Sequence, residues 1–106
     1  MKLNELNIVE AGEGLRNKKF TSVEITKACL DRIKERNGEI NAFITVCEDL
    51  ALEEAKKADE MIAKGEGGAL TGIPFAVKDA ICTKGVRSTG AGKILDNYVP
   101  PFDATV

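Results

Sequence analysis

The stretch GIPFAVKDAICTKG, residues 72–85, contains the clearest strand pattern of the chain, and its apolar run ends in a lysine and an aspartate. Its first part, IPFAVK at 73–78, is almost continuously apolar, which is typical of a β-strand buried on both faces within a helix-covered sheet. Pro74 is compatible with the start of a strand, where only a terminal hydrogen-bond donor is lost. The stretch therefore predicts a central strand that ends at Lys78.

The clearest helix pattern lies upstream, in TSVEITKACLDRIKERNG. Thr21 and Glu24 have the spacing of a capping box, in which each side chain accepts a hydrogen bond from the backbone of the other residue. Apolar residues then follow one face at helical spacing. A helix is predicted over 22–36, with Gly38 as the left-handed residue that ends it.

A second helix is predicted over 48–64, in EDLALEEAKKADEMIAKG, because alanines line one face and Gly65 follows the last turn. The next residues, EGGALTG, form a glycine-rich turn. A phosphate-binding loop is the alternative interpretation of this turn. It lacks the glycine spacing of both dinucleotide-binding loops and P-loops, so we expect a plain loop.

Three further segments have weaker patterns. Residues 3–16 carry apolar side chains at helical spacing, although two glycines lower the helix propensity there. AFITV, at 42–46, is β-prone and is expected to form a strand or an extended segment. Asp103 has the position of an N-cap, with residues 104–106 as a first helical turn.

The composition is that of an ordinary globular protein, with 106 residues, 43% hydrophobic and 30% charged. This length corresponds to one small domain. A formal net charge of −2 provides no basic surface for direct nucleic-acid binding. No apolar run approaches the roughly 20 residues of a transmembrane helix, and the N-terminus does not resemble a signal peptide. We therefore expect a cytoplasmic protein that makes no membrane contact.

The three cysteines, Cys29, Cys47 and Cys82, are widely spaced and form no CxxC pair. Since the chain contains no histidine, this pattern indicates neither a disulfide framework nor a zinc site. No metal or cofactor is expected in this chain. The thiols are expected to be buried or half-buried and to pack as small apolar side chains.

Lys78 allows two interpretations from residue chemistry alone. A lysine at the end of a strand usually lies in water, with its stem packed on apolar neighbours. A catalytic lysine instead needs a dry site that favours the neutral amine, the form able to act as a base. Asp79 would oppose this if the two charges met, but adjacent strand residues point to opposite faces. The residues alone leave both interpretations open.

A longer stretch, residues 70–106, carries several motifs in order. They are GIPFAVKD, ICTKG with a following arginine and Ser88-Thr89, KIL, and PPFDATV. Together they closely resemble the N-terminal part of the amidase signature family, and the segments TSVEITKACLDRI and NAFITV fit the same layout. Within that family the chain is most similar to the A subunits of glutamyl-tRNA(Gln) amidotransferases.

The resemblance implies a fold and one catalytic residue. The family fold is α/β, a mixed sheet covered by helices, and residues 1–106 would be the N-terminal part of a single amidase domain, incomplete at its C-terminal end. Lys78 matches the lysine of the family's Ser–cis-Ser–Lys triad, where it serves as the base. The family's two serines lie in a glycine- and serine-rich segment further along, so Ser22 and Ser88 are assigned no catalytic role.

The resemblance also implies an activity and partners. The full-length protein would hydrolyse glutamine and supply ammonia for the ATP-dependent amidation of Glu-tRNA(Gln) in protein biosynthesis. Its partners would be B and C subunits, with ATP and Mg held by a partner and tRNA bound through the complex. The chain alone is expected to be inactive and to self-associate through its unpaired strand. A stand-alone amidase acting on small amides and a non-catalytic interaction module are the alternatives.

Overall fold

The computed structural model describes residues 2–105, and it is mostly helical. A 3-10 turn at Leu3–Glu5 precedes three helices, α1 at Ile8–Arg16, α2 at Ser22–Ile40 and α3 at Glu48–Ala63. Within these residues, no helix is both long enough and apolar enough to span a membrane. The chain divides into two compact units: unit one is Met1–Asn41 with Glu48–Pro74, and unit two is Ala42–Cys47 with Phe75–Val106.

The apolar core lies in unit one. Its buried cluster consists of Ala11, Leu15, Phe20 and Ile25. Four partly buried side chains pack against this cluster: Leu3, Leu6, Ile62 and Ile73. Helix α2 also packs against α3 and against the 3-10 turn. Removal of these apolar side chains from water is the main favourable contribution to the folding of unit one.

The start of α2 confirms the predicted capping box. The Glu24 backbone N–H donates to Thr21 Oγ1 at 3.1 Å, and the Thr21 backbone N–H donates to Glu24 Oε1 at 3.3 Å. A carboxylate from α3 adds to this cap, because Asp59 accepts from the backbone N–H groups of Ser22 at 2.6 Å and Val23 at 3.2 Å. The positive end of the α2 dipole therefore faces a negative charge.

The end of α2 corrects the predicted boundary. The helix continues through Gly38 to Ile40, and Asn41 is the left-handed residue, with φ 54°. The Asn41 backbone N–H donates to the Asn37 carbonyl oxygen at 2.7 Å. The prediction that the helix ends at Gly38 was wrong, because a glycine lowers helix propensity without necessarily ending a helix. Asparagine also adopts the left-handed conformation readily, so Asn41 can end the helix instead.

Helix α1 is shorter than the 3–16 pattern and begins at its own capping box, between Asn7 and Glu10. Its two glycines are buried, and Gly14 has a packing function. A Cβ atom at Gly14 would lie 2.2 Å from Cζ of the Phe20 ring, which is closer than two carbon atoms can pack. The absence of a side chain at Gly14 therefore makes room for the Phe20 ring in the core.

Helix α3 agrees with its prediction to within one residue and ends in a Schellman motif. The Glu66 backbone N–H donates to the Met61 carbonyl oxygen at 2.9 Å, and that of Gly65 donates to the Ile62 carbonyl oxygen at 3.0 Å. Gly65 has the left-handed φ of 73° that this motif requires. The local signals of the sequence were sufficient here.

The strand predicted at 73–78 is wrong for this chain, and the segment 42–46, expected to be a strand or an extended segment, is not a strand. Segments 42–46 and 73–78 have no regular secondary structure, and the described residues contain one isolated β-bridge, between Thr83 and Val86. Phe75 is 83% exposed, so the second segment is not buried on both faces. A strand is defined by hydrogen bonds to a neighbouring strand, and no segment within 2–105 provides them to 73–78. The α/β class is accordingly not confirmed.

The predicted N-cap at Asp103 is also wrong. Residues 104 and 105 are not helical, and Val106 lies outside the described residues. Asp103 Oδ1 instead accepts from the Lys84 backbone N–H at 2.7 Å, and the Ala104 backbone N–H donates to the Cys82 carbonyl oxygen at 2.8 Å. These bonds to the 82–84 segment hold the chain extended at the point where a helix was expected.

The cysteine prediction is confirmed, since Cys29, Cys47 and Cys82 are free and half-buried. Burial raises the pKa of the Cys29 thiol, which favours the unreactive protonated form. In the part of the chain that the structure describes, no group of three or more histidine, cysteine or acidic side chains could hold a metal ion.

Alanine substitutions at two helical glycines should have opposite effects on stability. Gly14→Ala displaces the Phe20 ring, and overpacking of this kind lowers the free energy of unfolding by about 1–3 kcal/mol. Gly38→Ala is the matched control, because a Cβ there meets nothing within 4 Å. It should raise the free energy of unfolding by about 0.5–1 kcal/mol, since alanine has the higher helix propensity. Urea unfolding measures both free energies. A Gly14→Ala variant as stable as the parent chain would contradict this packing.

Candidate functional site

Lys78, the predicted catalytic residue, lies in unit two on an exposed segment without regular structure. Its carbonyl oxygen accepts from the Ile81 backbone N–H at 3.0 Å, which closes a tight turn. Its ammonium group forms no ion pair with any residue in the described range. Among the described residues, Lys78 is therefore a solvent-exposed side chain.

The next residue, Asp79, is the most highly connected side chain of this segment. Its Oδ1 accepts from the Thr89 backbone N–H at 2.9 Å, and its Oδ2 accepts from the Ala91 backbone N–H at 3.1 Å. The Thr89 hydroxyl donates to the same Oδ2. The Asp79 carbonyl oxygen accepts from the Gly90 backbone N–H at 3.1 Å. The amides of residues 89, 90 and 91 therefore all bind Asp79.

The backbone of this loop is shaped around the carboxylate. Gly90 and Ala91 are both left-handed, with φ of 61° and 59°. Successive backbone N–H groups in turn conformations of this kind converge into a concave anion-binding surface, often called a nest. Glycine adopts the left-handed region without strain, whereas alanine does so at a cost of about 1–2 kcal/mol. The Asp79 contacts must offset that cost at Ala91.

The environment of Asp79 favours its charged form. The hydroxyl hydrogen bond from Thr89 is the largest cause that holds the pKa of Asp79 below its ordinary value, and the backbone N–H groups of Thr89 and Ala91 add to it. The positive charge of Arg87 acts in the same direction. The carboxylate is therefore ionised at neutral pH and can accept from all of its donors.

Arg87 connects distant parts of unit two. Its guanidinium donates through Nη2 to Asp96 Oδ1 at 2.7 Å and through Nε to the Asp96 carbonyl oxygen at 2.5 Å. Its Nη1 donates to Thr45 Oγ1 at 3.2 Å. One arginine therefore links the 42–47 segment to the loop that follows residue 87.

The two serines have structural partners. The Ser22 hydroxyl, in a side chain that is 1% exposed, donates to the Gly72 carbonyl oxygen at 2.7 Å. The Ser88 hydroxyl donates to the Val86 carbonyl oxygen at 3.0 Å. Both hydroxyls are therefore bound to backbone atoms of their own unit.

The glycine-rich turn 66–72 uses its own amides. The Gly68 backbone N–H donates to Thr71 Oγ1 at 2.8 Å, and the Thr71 backbone N–H donates to the Gly68 carbonyl oxygen at 3.3 Å. The Glu66 amide is part of the α3 cap. The amides of Glu66, Gly68 and Thr71 are therefore bonded within the chain, and residues 66–72 form a loop without regular secondary structure.

The sequence interpretation missed the role of Asp79. The donors lie ten to twelve residues further on, in STGAG, and their connection to Asp79 is not visible in any local pattern.

The comparison with known protein families agrees with the motifs of this segment. The model of the Amidase family matches residues 24–106, which include Lys78, Asp79 and the loop 88–91. The chain belongs to the Amidase family.

Curated relatives are similar over nearly the whole chain. The protein named as the glutamyl-tRNA(Gln) amidotransferase A subunit of Gluconobacter oxydans is 47% identical over 104 residues, or 98% of this chain and 21% of that protein. Proteins of the same name from Saccharophagus degradans and Thermoanaerobacter pseudethanolicus are 51% and 49% identical, over 98% and 100% of this chain and 22% of each relative. The chain therefore spans about a fifth of the length of these relatives.

Acidification should release the loop from Asp79. Because the pKa of Asp79 is lowered in the folded chain, its ionised form stabilises the fold above the ordinary value of about 3.9. That stabilisation is lost as the pH falls below this value and through the folded pKa. In an NMR titration, the amide protons of Thr89 and Ala91 should shift together with a midpoint below about 3.9.

The Asp79→Asn variant is the control for this titration, since it has no carboxyl group to protonate at this position. Its Thr89 and Ala91 amides should show no transition of this kind. A midpoint at or above the ordinary aspartate value in the parent chain would contradict the hydrogen bonding described.

Proposed function

We propose that the chain is the lysine-bearing part of an amidase that hydrolyses glutamine, as the amidotransferase names of its relatives suggest. The observation that carries the proposal is the GIPFAVKD motif within the Amidase family match, and by its resemblance to that family Lys78 would be the catalytic lysine. Its ammonium group forms no ion pair within residues 2–105. It is therefore available to partners from the rest of an amidase.

Lys78 would act as the base of a Ser–cis-Ser–Lys triad. A serine nucleophile needs a base to activate it, and a lysine can serve as that base. Lys78 would accept the nucleophile's proton through the bridging serine as the acyl-enzyme forms, and then return it to the departing ammonia. This role requires an amine removed from water, because desolvation favours the neutral form.

In the complete protein, the fold would be α/β, and this chain would form part of a single amidase domain. The exposed apolar side chains of unit two support this. Phe75 is 83% exposed, Ile94 99% and Phe102 54%, an unusual distribution for large apolar residues in a finished domain. Additional chain that covers these side chains would also provide the dry environment that Lys78 requires.

The partners would follow from this role. Ammonia released from glutamine would pass to a B subunit that amidates Glu-tRNA(Gln) in an ATP- and Mg-dependent reaction, with a C subunit completing the complex. The tRNA would contact the complex mainly outside this chain, in agreement with its formal net charge of −2. The names of the relatives support a role in an amidotransferase, and we propose the individual partners on that basis.

A chimera tests the proposal. This chain replaces the matching segment of the Thermoanaerobacter pseudethanolicus relative, and the product is assembled with that organism's partner subunits. Glutamine-dependent ammonia release is expected, and Lys78→Met should lower its kcat by about 100-fold or more, since general base catalysis contributes at least this much. The 106-residue chain alone should release no ammonia, because its two serines are bound to backbone carbonyls.

Lys93→Met is the matched control. Lys93 is another exposed lysine of unit two that forms no ion pair within residues 2–105, so its loss should leave kcat unchanged. A Lys78→Met chimera with full activity would exclude the proposed base. A chimera that hydrolyses small amides but not glutamine would favour a stand-alone amidase, and a folded, inactive chimera would favour an interaction module.

A further inference from the structure

The position of the Lys78 amine depends on how its backbone is held. The lysine side chain is a flexible four-carbon stem, so its own packing fixes the ammonium group poorly. In the described residues this side chain forms no ion pair that could orient it. The constraints act instead on the adjacent main chain, through the Ile81 bond to the Lys78 carbonyl oxygen and the four hydrogen bonds to Asp79.

These constraints connect two loops. The turn that carries Lys78 and the loop Ser88–Ala91 are held together through Asp79, whose carboxylate and carbonyl oxygens are both used. Thr89 is 3% exposed, so its hydroxyl has no access to water as an alternative partner. If the Asp79 carboxylate or the Thr89 hydroxyl is removed, its partner is left as a buried polar group without a hydrogen bond. The loop must then move to satisfy that group.

The contacts also separate two possible roles of Asp79. An acidic residue next to a catalytic lysine could act on it directly through charge. Here the Asp79 oxygens are occupied by donors from residues 89 and 91, and no ion pair joins Asp79 to Lys78. The negative charge is balanced by the loop, which leaves the carboxylate an indirect, geometric role.

We infer that Asp79 and Thr89 are positioning residues for Lys78, and that the loop Ser88–Ala91 sets the point from which the lysine reaches its serine. The inference rests on the proposed function, in which Lys78 is the base. A misplacement of a catalytic group by about 1 Å costs on the order of 100-fold in rate. Loss of one bond of this network should therefore reduce the rate without changing the affinity for substrate.

The test uses the chimeric amidase in its complex with the partner subunits. Thr89→Val keeps the shape of the side chain but removes the hydroxyl donor to Asp79. Its kcat for glutamine hydrolysis should fall by about tenfold to 100-fold, while KM stays within about twofold of the parent value. The concentration of active sites is titrated from the burst of acyl-enzyme, so that a loss of folded protein is not counted as a loss of kcat.

Two matched variants complete the design. Thr89→Ser restores the hydroxyl donor and should recover kcat to within about threefold, which a role of the methyl group in packing would not predict. Thr26→Val makes the same substitution at a buried threonine of α2, which lies in unit one and is not among the donors to Asp79, and it should leave kcat and KM unchanged. If Thr89→Val does not fold, Asp79→Asn removes the same contact from the other side and should show the same loss of kcat.

The outcomes distinguish this inference from the proposed function. An inactive Lys78→Met chimera together with full kcat in both Thr89→Val and Asp79→Asn overturns the positioning role alone. Equal losses of kcat in Thr89→Val and Thr26→Val, or a change in KM with kcat unchanged, overturn it as well. Full activity of Lys78→Met overturns the proposed function and the inference with it.

Discussion

The carboxylate of Asp79 is the constraint on which unit two depends. Among the described residues of this unit, the buried side chains are Ser88, Thr89 and Pro100, so little apolar surface is removed from water there. Its loops are held instead by polar contacts, and the densest of these converge on Asp79 from three successive backbone amides. An ionised acceptor suits this task because hydrogen bonds to a charged group are about twice as strong as neutral ones.

Unit one is held together in a different way. Its helices surround an apolar cluster, and Asp59 and Ser22 tie α2 to α3 and to the Gly72 carbonyl oxygen. This last bond fixes the residue at which the GIPFAVKD motif begins. The division of the chain between Pro74 and Phe75 falls within the same motif. The motif therefore starts on an apolar, helical framework and ends in a loop region held by charge, where Lys78 lies.

The sequence predicted the helices well because their signals are local. The capping box at Thr21 and the left-handed Gly65 involve residues only a few positions apart, and both were found. The strand at 73–78 failed for the opposite reason, since a strand depends on partner segments, and none lies within the described residues. Asp79 was missed because its donors, the Thr89 hydroxyl and backbone amides that any loop carries, lie ten to twelve residues away. The family resemblance predicts a catalytic role for Lys78 but does not indicate which contacts hold its backbone.

In the proposed function, this chain supplies the lysine base of an amidase, and the serines lie in the part of its relatives that this chain does not span. A crystal structure of the chimeric amidase tests it most directly, through the distance from Lys78 Nζ to the nearest serine Oγ. We expect Lys78 Nζ to lie about 2.6–3.2 Å from the Oγ of a serine outside this chain, in a site closed to water. A Lys78 side chain that remains in solvent, with no serine within reach, would contradict it.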